Sequence, residues 1–530
     1  MSYIDDESME GVKGVVMFYF LNLEQSRTLS FIDNEFQVYG TIMKSPHPLN
    51  LSVSDSLIID YYNMDGGFIF ESNWDDKMSL IGEVVFEQLR FEIHNEDKGR
   101  YKTGQFIKSS LPINITVKDS VFELDHKFEE EVDVFWFEDT GSWAPDDDIY
   151  QFVRFENNVM GYSKVNDNVT GIYNNFQVSM NDANKRYKEI YIVNNTFTNM
   201  LLSQYSFMKV EFYTTGIVNI INNTFYNCSC GEANMIEIDA TDTIYLEDNT
   251  FDSCVSLTNS FLWTANSKLV NITGLEVTNT VKGVTFLSGT MIDISTSDLG
   301  SCLITNSRFH SNFIRNSLIR IDETVGEFDF LNNEVTNEVI ESFTNYIIVE
   351  KPYRMNILNW LFTNIDDDLT GDQLTQLFSF QSINLEGAQN IEMDNVTVTN
   401  SSVSFYTFNR VTGLTSEPKQ IIFENIVIRD CFIKTRNPTI SLGPFITDQQ
   451  VQIIMRNFTF DGVVFEETSN LIFVRWQSPI PIVIETSTFQ NNQNGYIQLS
   501  PNTIVAGSLK VEVSASYFMW LSICHIGTNV

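Results

Sequence analysis

The sequence that decides the fold is a short phrase in three copies: Asn194-Asn195-Thr196-Phe197, Asn222-Asn223-Thr224-Phe225 and Asp248-Asn249-Thr250-Phe251. In each copy an apolar stretch comes first, then an Asn-rich bend, then an aromatic residue. A phrase that recurs at a nearly fixed period predicts a solenoid, because each repeat buries its apolar side only by stacking on the next.

The aromatic residue of each phrase serves as an anchor for counting. Anchors recur along the chain at a mean spacing of about 29 residues. They are Phe197, Phe225, Phe251, Leu275, Phe309, Val335, Phe362, Val398, Ile428, Phe460, Phe489 and Phe518. None of these positions is charged, so the spacing predicts one continuous apolar stack in the core.

Asparagine recurs three residues before the anchor. It is found at Asn194, Asn222, Asn306, Asn332, Asn359, Asn395, Asn425 and Asn457. Asn suits a bend because it tolerates the left-handed backbone region and can bond to its own backbone. We expect these residues to point inward as a structural Asn ladder, with each amide bonded to the next along the axis.

Short apolar runs with period-two alternation precede the bends, as at 190–193 and 421–423, and a third run follows, as at 318–321. Three strands and three bends per repeat predict an all-β fold, a right-handed parallel β-helix solenoid of roughly 18 coils of about 29 residues. The pattern is regular over 151–530. Residues 1–150 are acidic and are expected to form irregular coils or an N-terminal cap.

Stacked bend asparagines and stacked inward aromatic residues resemble the right-handed β-helix proteins of the pectin-lyase-like superfamily. The resemblance covers 190–530 well and is looser from residue 50 onward. It implies the fold. The hydrolase patterns Asn-Thr-Asp, Gly-His-Gly and Arg-Ile-Lys of that superfamily are absent, so a non-catalytic member without a cofactor is expected. The composition, rich in Asn, Ile and Phe, also resembles that of protist proteins.

The chain is strongly acidic, with 69 Asp and Glu against 32 Lys and Arg and a net charge of −37. Such a charge argues against nucleic acid and anionic membranes as partners. No apolar run approaches the roughly 20 residues of a membrane span. The start of the chain shows no signal peptide. An extracellular or cell-surface location is nevertheless expected, from the glycosylation sequons.

Ten Asn-x-Ser/Thr sequons indicate N-glycosylation. Four of them fall in the predicted ladder (Asn194, Asn222, Asn395 and Asn457), where an inward amide could not carry a glycan. The glycosylation candidates are therefore Asn50, Asn114, Asn168, Asn227, Asn271 and Asn400.

Two further groups of residues are candidate sites. Cys228 and Cys254 each follow an anchor by three residues, so they should stack one coil apart, within the Cα range of a disulfide. Two stacked buried thiols are the alternative. Asp146, Asp147 and Asp148 lie in the densest acidic stretch, 123–148, and are a candidate Ca²⁺ site, with a solvated loop as the alternative.

Together these features predict a non-catalytic extracellular β-helix with a structural or adhesive role at a cell surface, in a glycocalyx or in a surface filament. It would be glycosylated and would assemble end to end with neighbouring β-helix subunits. Two alternatives remain open: a polysaccharide-active lyase or hydrolase with catalytic residues on inserted loops, and a carbohydrate-binding β-helix whose partners are glycans.

Overall fold

The structure is a computed structural model, and it divides the chain into two compact units, Met1–Ser267 and Lys268–Val530. All regular secondary structure of the described residues is β-strand. No helix among them is long and apolar enough to cross a membrane. The structure describes residues 18–19, 28–38, 41–45, 49–60, 67–70, 82–93, 106–109, 113–124, 133–139, 151–162, 174–180, 187–202, 206, 208–212, 216–230, 234–239, 242–256, 259–280, 290–314, 317–322, 327–340, 346–350, 354–367, 376–381, 383–384, 391–402, 404–408, 411–413, 419–433, 439–447, 451–476, 482–501, 511–514, 517–518 and 522–525.

Each coil of the first unit has three strands, which we name leading, anchor and closing in chain order. The leading strands are Thr28–Ile32, Asn50–Ser54, Gly82–Glu87, Ile113–Lys118, Gln151–Glu156, Tyr187–Val193, Ile217–Ile221 and Thr243–Glu247. The anchor strands are Glu35–Val38, Leu57–Asp60, Arg90–Ile93, Val121–Leu124, Val159–Tyr162, Thr196–Thr198, Thr224–Tyr226 and Thr250–Asp252. The closing strands are Phe18–Tyr19, Met43–Ser45, Phe68–Phe70, Ile107–Ser109, Asp133–Asp139, Asn174–Met180, Met208–Phe212 and Ile236–Asp239. Short pairs at Leu201–Leu202, Ser229–Cys230 and Val255–Ser256 form a small extra sheet.

Equivalent strands of successive coils pair in parallel and in register. Ile190 lies beside Val218, which lies beside Ile244. In strands such as Asn50–Ser54, Ile217–Ile221 and Glu327–Leu331, alternate residues are buried, so one face of the strand lines the core while the other faces outward. These features confirm the predicted all-β parallel β-helix.

The anchors form the aromatic spine of the first unit. The rings of Phe197 and Phe225 are stacked with centroids 4.8 Å apart, and those of Phe225 and Phe251 with centroids 4.5 Å apart. Register continues this column into the first 150 residues, where the repeat is hard to recognise in the sequence. Its members there are Phe36, Ile58, Phe91 and Phe122.

The second unit repeats the three-strand coil, but several of its strands run through a bend. Ile292–Thr305 supplies a closing and then a leading segment, whereas Arg354–Thr363 and Ile391–Thr399 each supply a leading and then an anchor segment. The strand Leu262–Thr273 crosses the division between the units. The remaining leading and anchor strands are Glu276–Thr278, Arg308–His310, Glu327–Leu331, Glu334–Thr336, Lys419–Glu424, Val427–Arg429, Val451–Arg456, Thr459–Asp461, Ile482–Glu485, Thr488–Gln490, Val511–Ser514 and Tyr517–Phe518. The closing and minor strands are Phe313–Ile314, Ile319–Asp322, Val339–Ile340, Ile347–Glu350, Asp366–Asp367, Gln376–Gln381, Ile383–Asn384, Ser404–Phe408, Val411–Gly413, Phe432–Ile433, Ile440–Thr447, Val464–Trp476, Gln493–Pro501 and Ser522–His525.

One predicted anchor of the second unit is wrong. Val277, not Leu275, pairs in register with Phe309. The bend three residues earlier carries Gly274 at φ 64° instead of Asn, so the sequence phrase that marks the register is missing there. The later anchors pair as predicted, and the rings of Phe460 and Phe489 are stacked at 5.2 Å.

The number of coils differs from the roughly 18 predicted from a period of about 29 residues. Among the described residues, the first unit has eight leading strands that pair in succession, and the second has nine leading strands or segments, counting Leu262–Thr273 from Lys268 onward. Coil length varies widely, since Asn34 bonds across 22 residues to Ser56, Asn158 across 37 to Asn195 and Asn223 across 26 to Asn249. Insertions between strands lengthen a coil without disturbing its ladder.

Candidate functional site

In three successive coils of the first unit, the first bend, between leading and anchor strands, carries an exposed amide ladder. Asn157, Asn194 and Asn222 have left-handed backbones, with φ of 57°, 56° and 53°, and exposed side chains. Asn222 Nδ2 donates to Asn194 Oδ1 over 2.8 Å, and Asn194 Nδ2 to Asn157 Oδ1 over 3.1 Å. The expectation that this column points inward is wrong, because the left-handed residue turns outward and its successor turns in.

The inward ladder is formed by the residue after each left-handed Asn. Asn158, Asn195, Asn223 and Asn249 are at most 1% exposed. Asn223 Oδ1 accepts two hydrogen bonds from Asn195, one from its backbone N–H over 2.9 Å and one from its side-chain Nδ2 over 3.0 Å. Asn223 Nδ2 donates to the Ile192 carbonyl over 2.8 Å. Sequence reasoning missed this column, although the Asn-Asn doublets marked it.

The second unit carries the exposed ladder in two runs. Asn395 Nδ2 donates to Asn359 Oδ1, and Asn359 Nδ2 to Asn332 Oδ1, each over 2.7 Å. Asn457 Nδ2 donates to Asn425 Oδ1 over 2.6 Å. Every predicted ladder residue has a left-handed backbone: Asn194, Asn222, Asn306, Asn332, Asn359, Asn395, Asn425 and Asn457.

The glycosylation candidates lie in different surroundings. Asn227 and Asn400 are exposed at the second bend, after the anchor, and donate Nδ2 to Asn199 and Asn364 over 2.7 Å and 2.6 Å. An amide that donates one N–H along a ladder retains a second for substitution. Because the first-bend sequons are also exposed, burial does not exclude them. Asn50, Asn114 and Asn271 are half-buried on leading strands. Asn168 lies outside the described residues.

The two stacked cysteines are free thiols in the structure, the arrangement that the sequence left as the alternative to a disulfide. Cys228 is 3% exposed and Cys254 is 0% exposed. Each sulfur contacts the anchor carbonyl of the preceding coil, Cys228 at 3.5 Å and Cys254 at 3.3 Å. Burial raises the pKa of the Cys228 thiol well above its ordinary value. The column thus holds both thiols in the same inward slot as parallel, inert core groups.

The Ca²⁺ candidate, Asp146 to Asp148, lies outside the described residues and stays a prediction. Within the described part of the chain, no group of three or more His, Cys, Asp or Glu side chains is arranged to hold a metal ion.

A charged cluster lies on the outer face of the closing strands in the second unit. Asp293 pairs in register with Arg320, and Arg320 Nη2 lies 2.5 Å from Asp322 Oδ2. The other oxygen of that carboxylate, Asp322 Oδ1, is buried with no described partner. Burial raises the pKa of Asp293 to about 6, with Asp322 adding to the rise and Arg320 opposing it. A carboxyl whose pKa is raised by burial beside a guanidinium is a candidate proton donor or acceptor.

The first unit has a different cluster on the outer face of its closing strands. Glu237 Oε2 accepts Ser206 Oγ over 2.8 Å and Asn234 Nδ2 over 3.3 Å, while Oε1 lies 3.7 Å from Lys209 Nζ. The half-buried Trp263 follows Glu237 in register. The sequence pattern did not single out these residues, because outward positions of a β-helix carry no repeat signal.

One carboxyl lies in the core of the second unit. Glu338 is 0% exposed and occupies the inward slot of the second bend, one coil after Asn312. Asn312 Nδ2 donates to Glu338 Oε1 over 2.9 Å, and Oε2 has no described partner. Burial raises the pKa of Glu338 to about 8, so the carboxyl is predominantly protonated at neutral pH. Its role is structural, since it replaces an amide in a ladder.

The fold and these side chains define the chain as an all-β parallel β-helix protein. No protein-family model matches it, and no curated protein does. Among solved structures, an alignment with the PL6 family alginate lyase AlyGC covers 97% of this chain and 98% of the lyase, at 9% identity and a TM-score of 0.16. At that score the alignment carries no argument about function.

Proposed function

We propose that the chain is a non-catalytic structural or adhesive β-helix of an extracellular surface, such as a cell surface, a glycocalyx or a surface filament. The observation that supports this proposal is the exposed amide ladder, in which Asn222 bonds Asn194 and Asn395 bonds Asn359 along the axis. The amides of this ladder are bonded to one another instead of being available to bind a substrate. A surface of this kind is suited to bearing load along the helix axis and to making repeated contacts with partners.

The proposal also covers the superfamily of the chain, its extracellular location and its partners. The chain would be a right-handed, non-catalytic member of the pectin-lyase-like superfamily, since both its bend asparagines and its stacked core match that pattern. The exposed sequons at Asn227 and Asn400 support glycosylation outside the cell. Its partners would be neighbouring β-helix subunits, and glycans in an adhesive role.

Electron microscopy of the native material, together with glycopeptide mass spectrometry, tests this proposal. Filaments or surface arrays, with glycans at the second-bend sequons, are the expected result. A dispersed monomer whose exposed sequons are all unoccupied would contradict it.

A polysaccharide-active enzyme is the second candidate function, and the Asp293–Arg320 cluster favours it. A carboxyl with a pKa of about 6 can donate or accept a proton at neutral pH. Incubation with acidic polysaccharides, followed by assays for unsaturated and reducing-end products, distinguishes the two functions. Turnover abolished by Asp293→Asn but retained by Glu327→Gln, a control on the leading strand of the same unit, would establish the enzyme.

A further inference from the structure

The outer face of the leading strands in the first unit holds an arginine in an unusual setting. The guanidinium carbon of Arg154 lies 4.8 Å from the ring centroid of Phe152 and 4.9 Å from that of Tyr191. Phe152 is two residues away on the same strand, and Tyr191 is the register partner on the next coil. Two cation–π contacts thus hold the guanidinium in place.

Arg154 has no ion pair with a carboxylate of the described residues, and its Nε is buried without a hydrogen-bond partner. Glu189, which pairs in register with Phe152 on the next coil, instead accepts a hydrogen bond from the Tyr191 hydroxyl. By contrast, other described arginines pair with a carboxylate, namely Arg90, Arg308, Arg320, Arg354, Arg429 and Arg456.

The free guanidinium is unexpected in a chain with 69 acidic residues. Burying an N–H donor without a hydrogen-bond partner costs free energy, and packing contacts alone do not offset that cost. A planar fork of N–H donors, fixed by two rings, matches an oxyanion that accepts two bonds at once.

We propose that Arg154, with Phe152 and Tyr191, forms an oxyanion-binding site for a carboxylate- or sulfate-bearing ligand. The site lies on the leading-strand face of the first unit, away from the charged residues of the closing strands. It goes beyond the proposed structural function by giving this surface a specific ligand chemistry.

The test uses the full chain, produced without glycans so that the neighbouring sequon Asn114 is unoccupied, with ¹⁵N-labelled arginine. The Arg154 Nε–H resonance is assigned by its absence in Arg154→Lys. Sodium acetate and sodium sulfate each replace sodium chloride at constant ionic strength. The Arg154 resonance is expected to shift saturably with at least one of them, which identifies the carboxylate or the sulfate as the preferred group. Arg90, which already pairs with Glu92 and Glu123, should not respond and is the internal control.

Tyr191→Leu keeps the charge but removes one ring, and it should weaken the saturable binding by about fivefold or more. If neither anion gives a saturable shift, or if Arg90 responds in the same way, Arg154 is a packing residue and the proposal fails. Neither outcome bears on filament formation, so this site and the structural function fail or succeed separately.

Discussion

The same inward slot of the first bend is filled in two ways in the two units. In the first unit it holds the buried Ser56, Leu89 and Ser120 and then an unbroken run of buried amides from Asn158 to Asn249. In the second unit it holds, coil by coil, Leu275, Ser307, Asn333, Trp360, Val396, Ile426, Phe458 and Ser487. An amide in this slot depends on the coil beside it for its partners, whereas an apolar side chain depends only on packing. The same slot of a β-helix coil can therefore be filled by a bonded side chain or by a packed one.

The strongest effect is expected at Glu338, where the second unit places a carboxyl in an amide ladder. Its folded pKa of about 8 exceeds the ordinary 4.5, so the folded chain keeps a proton that the unfolded chain loses. The free energy of unfolding should therefore fall as pH rises from 4.5 to 8, by at most roughly 5 kcal/mol from this group. Denaturant unfolding across that window measures the slope.

Glu338→Gln should remove this contribution and make the protein more stable than wild type at pH 8, because its amide is neutral at every pH. The matched control is Glu334→Gln, on the anchor strand of the same coil, where the side chain is 43% exposed. Equal slopes for wild type and Glu338→Gln would show that the carboxyl is not held protonated.

The next effect concerns Asn223 in the continuous ladder of the first unit. Asn223→Leu leaves two donor groups of Asn195 and the Ile192 carbonyl without their partner, and should cost about 3 kcal/mol of stability. Urea unfolding followed by circular dichroism measures the loss.

The reciprocal change, Val396→Asn, puts an amide where the second unit has no ladder. It should also destabilise, by about 2 kcal/mol, since the new polar group is buried without matched partners. Tolerance of both substitutions would mean that the two kinds of slot are interchangeable.

A smaller loss of stability is expected at Trp360, because this side chain both packs in the slot and donates a hydrogen bond. Its indole Nε1 donates to the Phe330 carbonyl over 3.1 Å, as an amide of the ladder would. Trp360→Phe preserves most of the packing but leaves that carbonyl unpaired, and should cost about 1–2 kcal/mol. Trp360→Leu, which also removes volume, should cost more; equal losses would assign the whole effect to the lost hydrogen bond.

The smallest effect is expected in the exposed ladder. Asn222→Ala removes one surface bond and places a Cβ residue at φ 53°, for a cost of about 1 kcal/mol. Asn222→Gly also removes the bond but adopts positive φ without strain. Thermal unfolding of both variants separates the bond from the backbone preference, and a greater loss in the Gly variant would contradict this account.

The parallel β-helix and its stacked anchors could be predicted because both rest on spacing. An apolar residue that returns once per coil has to be buried, and Phe197, Phe225 and Phe251 are stacked accordingly. The prediction failed at Leu275, where Gly274 replaces the marker Asn. In the first 150 residues the bends carry Asp33, Asp55, Gln88 and Asp119 at positive φ. The bend column is therefore present there, but with Asp or Gln in place of the usual Asn.

The candidate site was much less predictable. Counting showed that Asn recurs at the bend but not which of two adjacent amides faces the core, since the direction follows from a left-handed backbone turn. Arg154, Asp293 and Glu338 have no repeat signal. Their properties come from burial and from neighbours that include residues a whole coil away in sequence.

The sequence thus determined the architecture, because a period of apolar and bend residues dictates a stack of coils whatever the connections between them. The tertiary structure decided the chemistry, namely which amides are buried, which thiols remain free and which charges lack partners. The physical reason is that periodicity fixes burial, a property of each residue in its own coil. Hydrogen bonding and pKa depend instead on the atoms that the next coil places about 4.8 Å away.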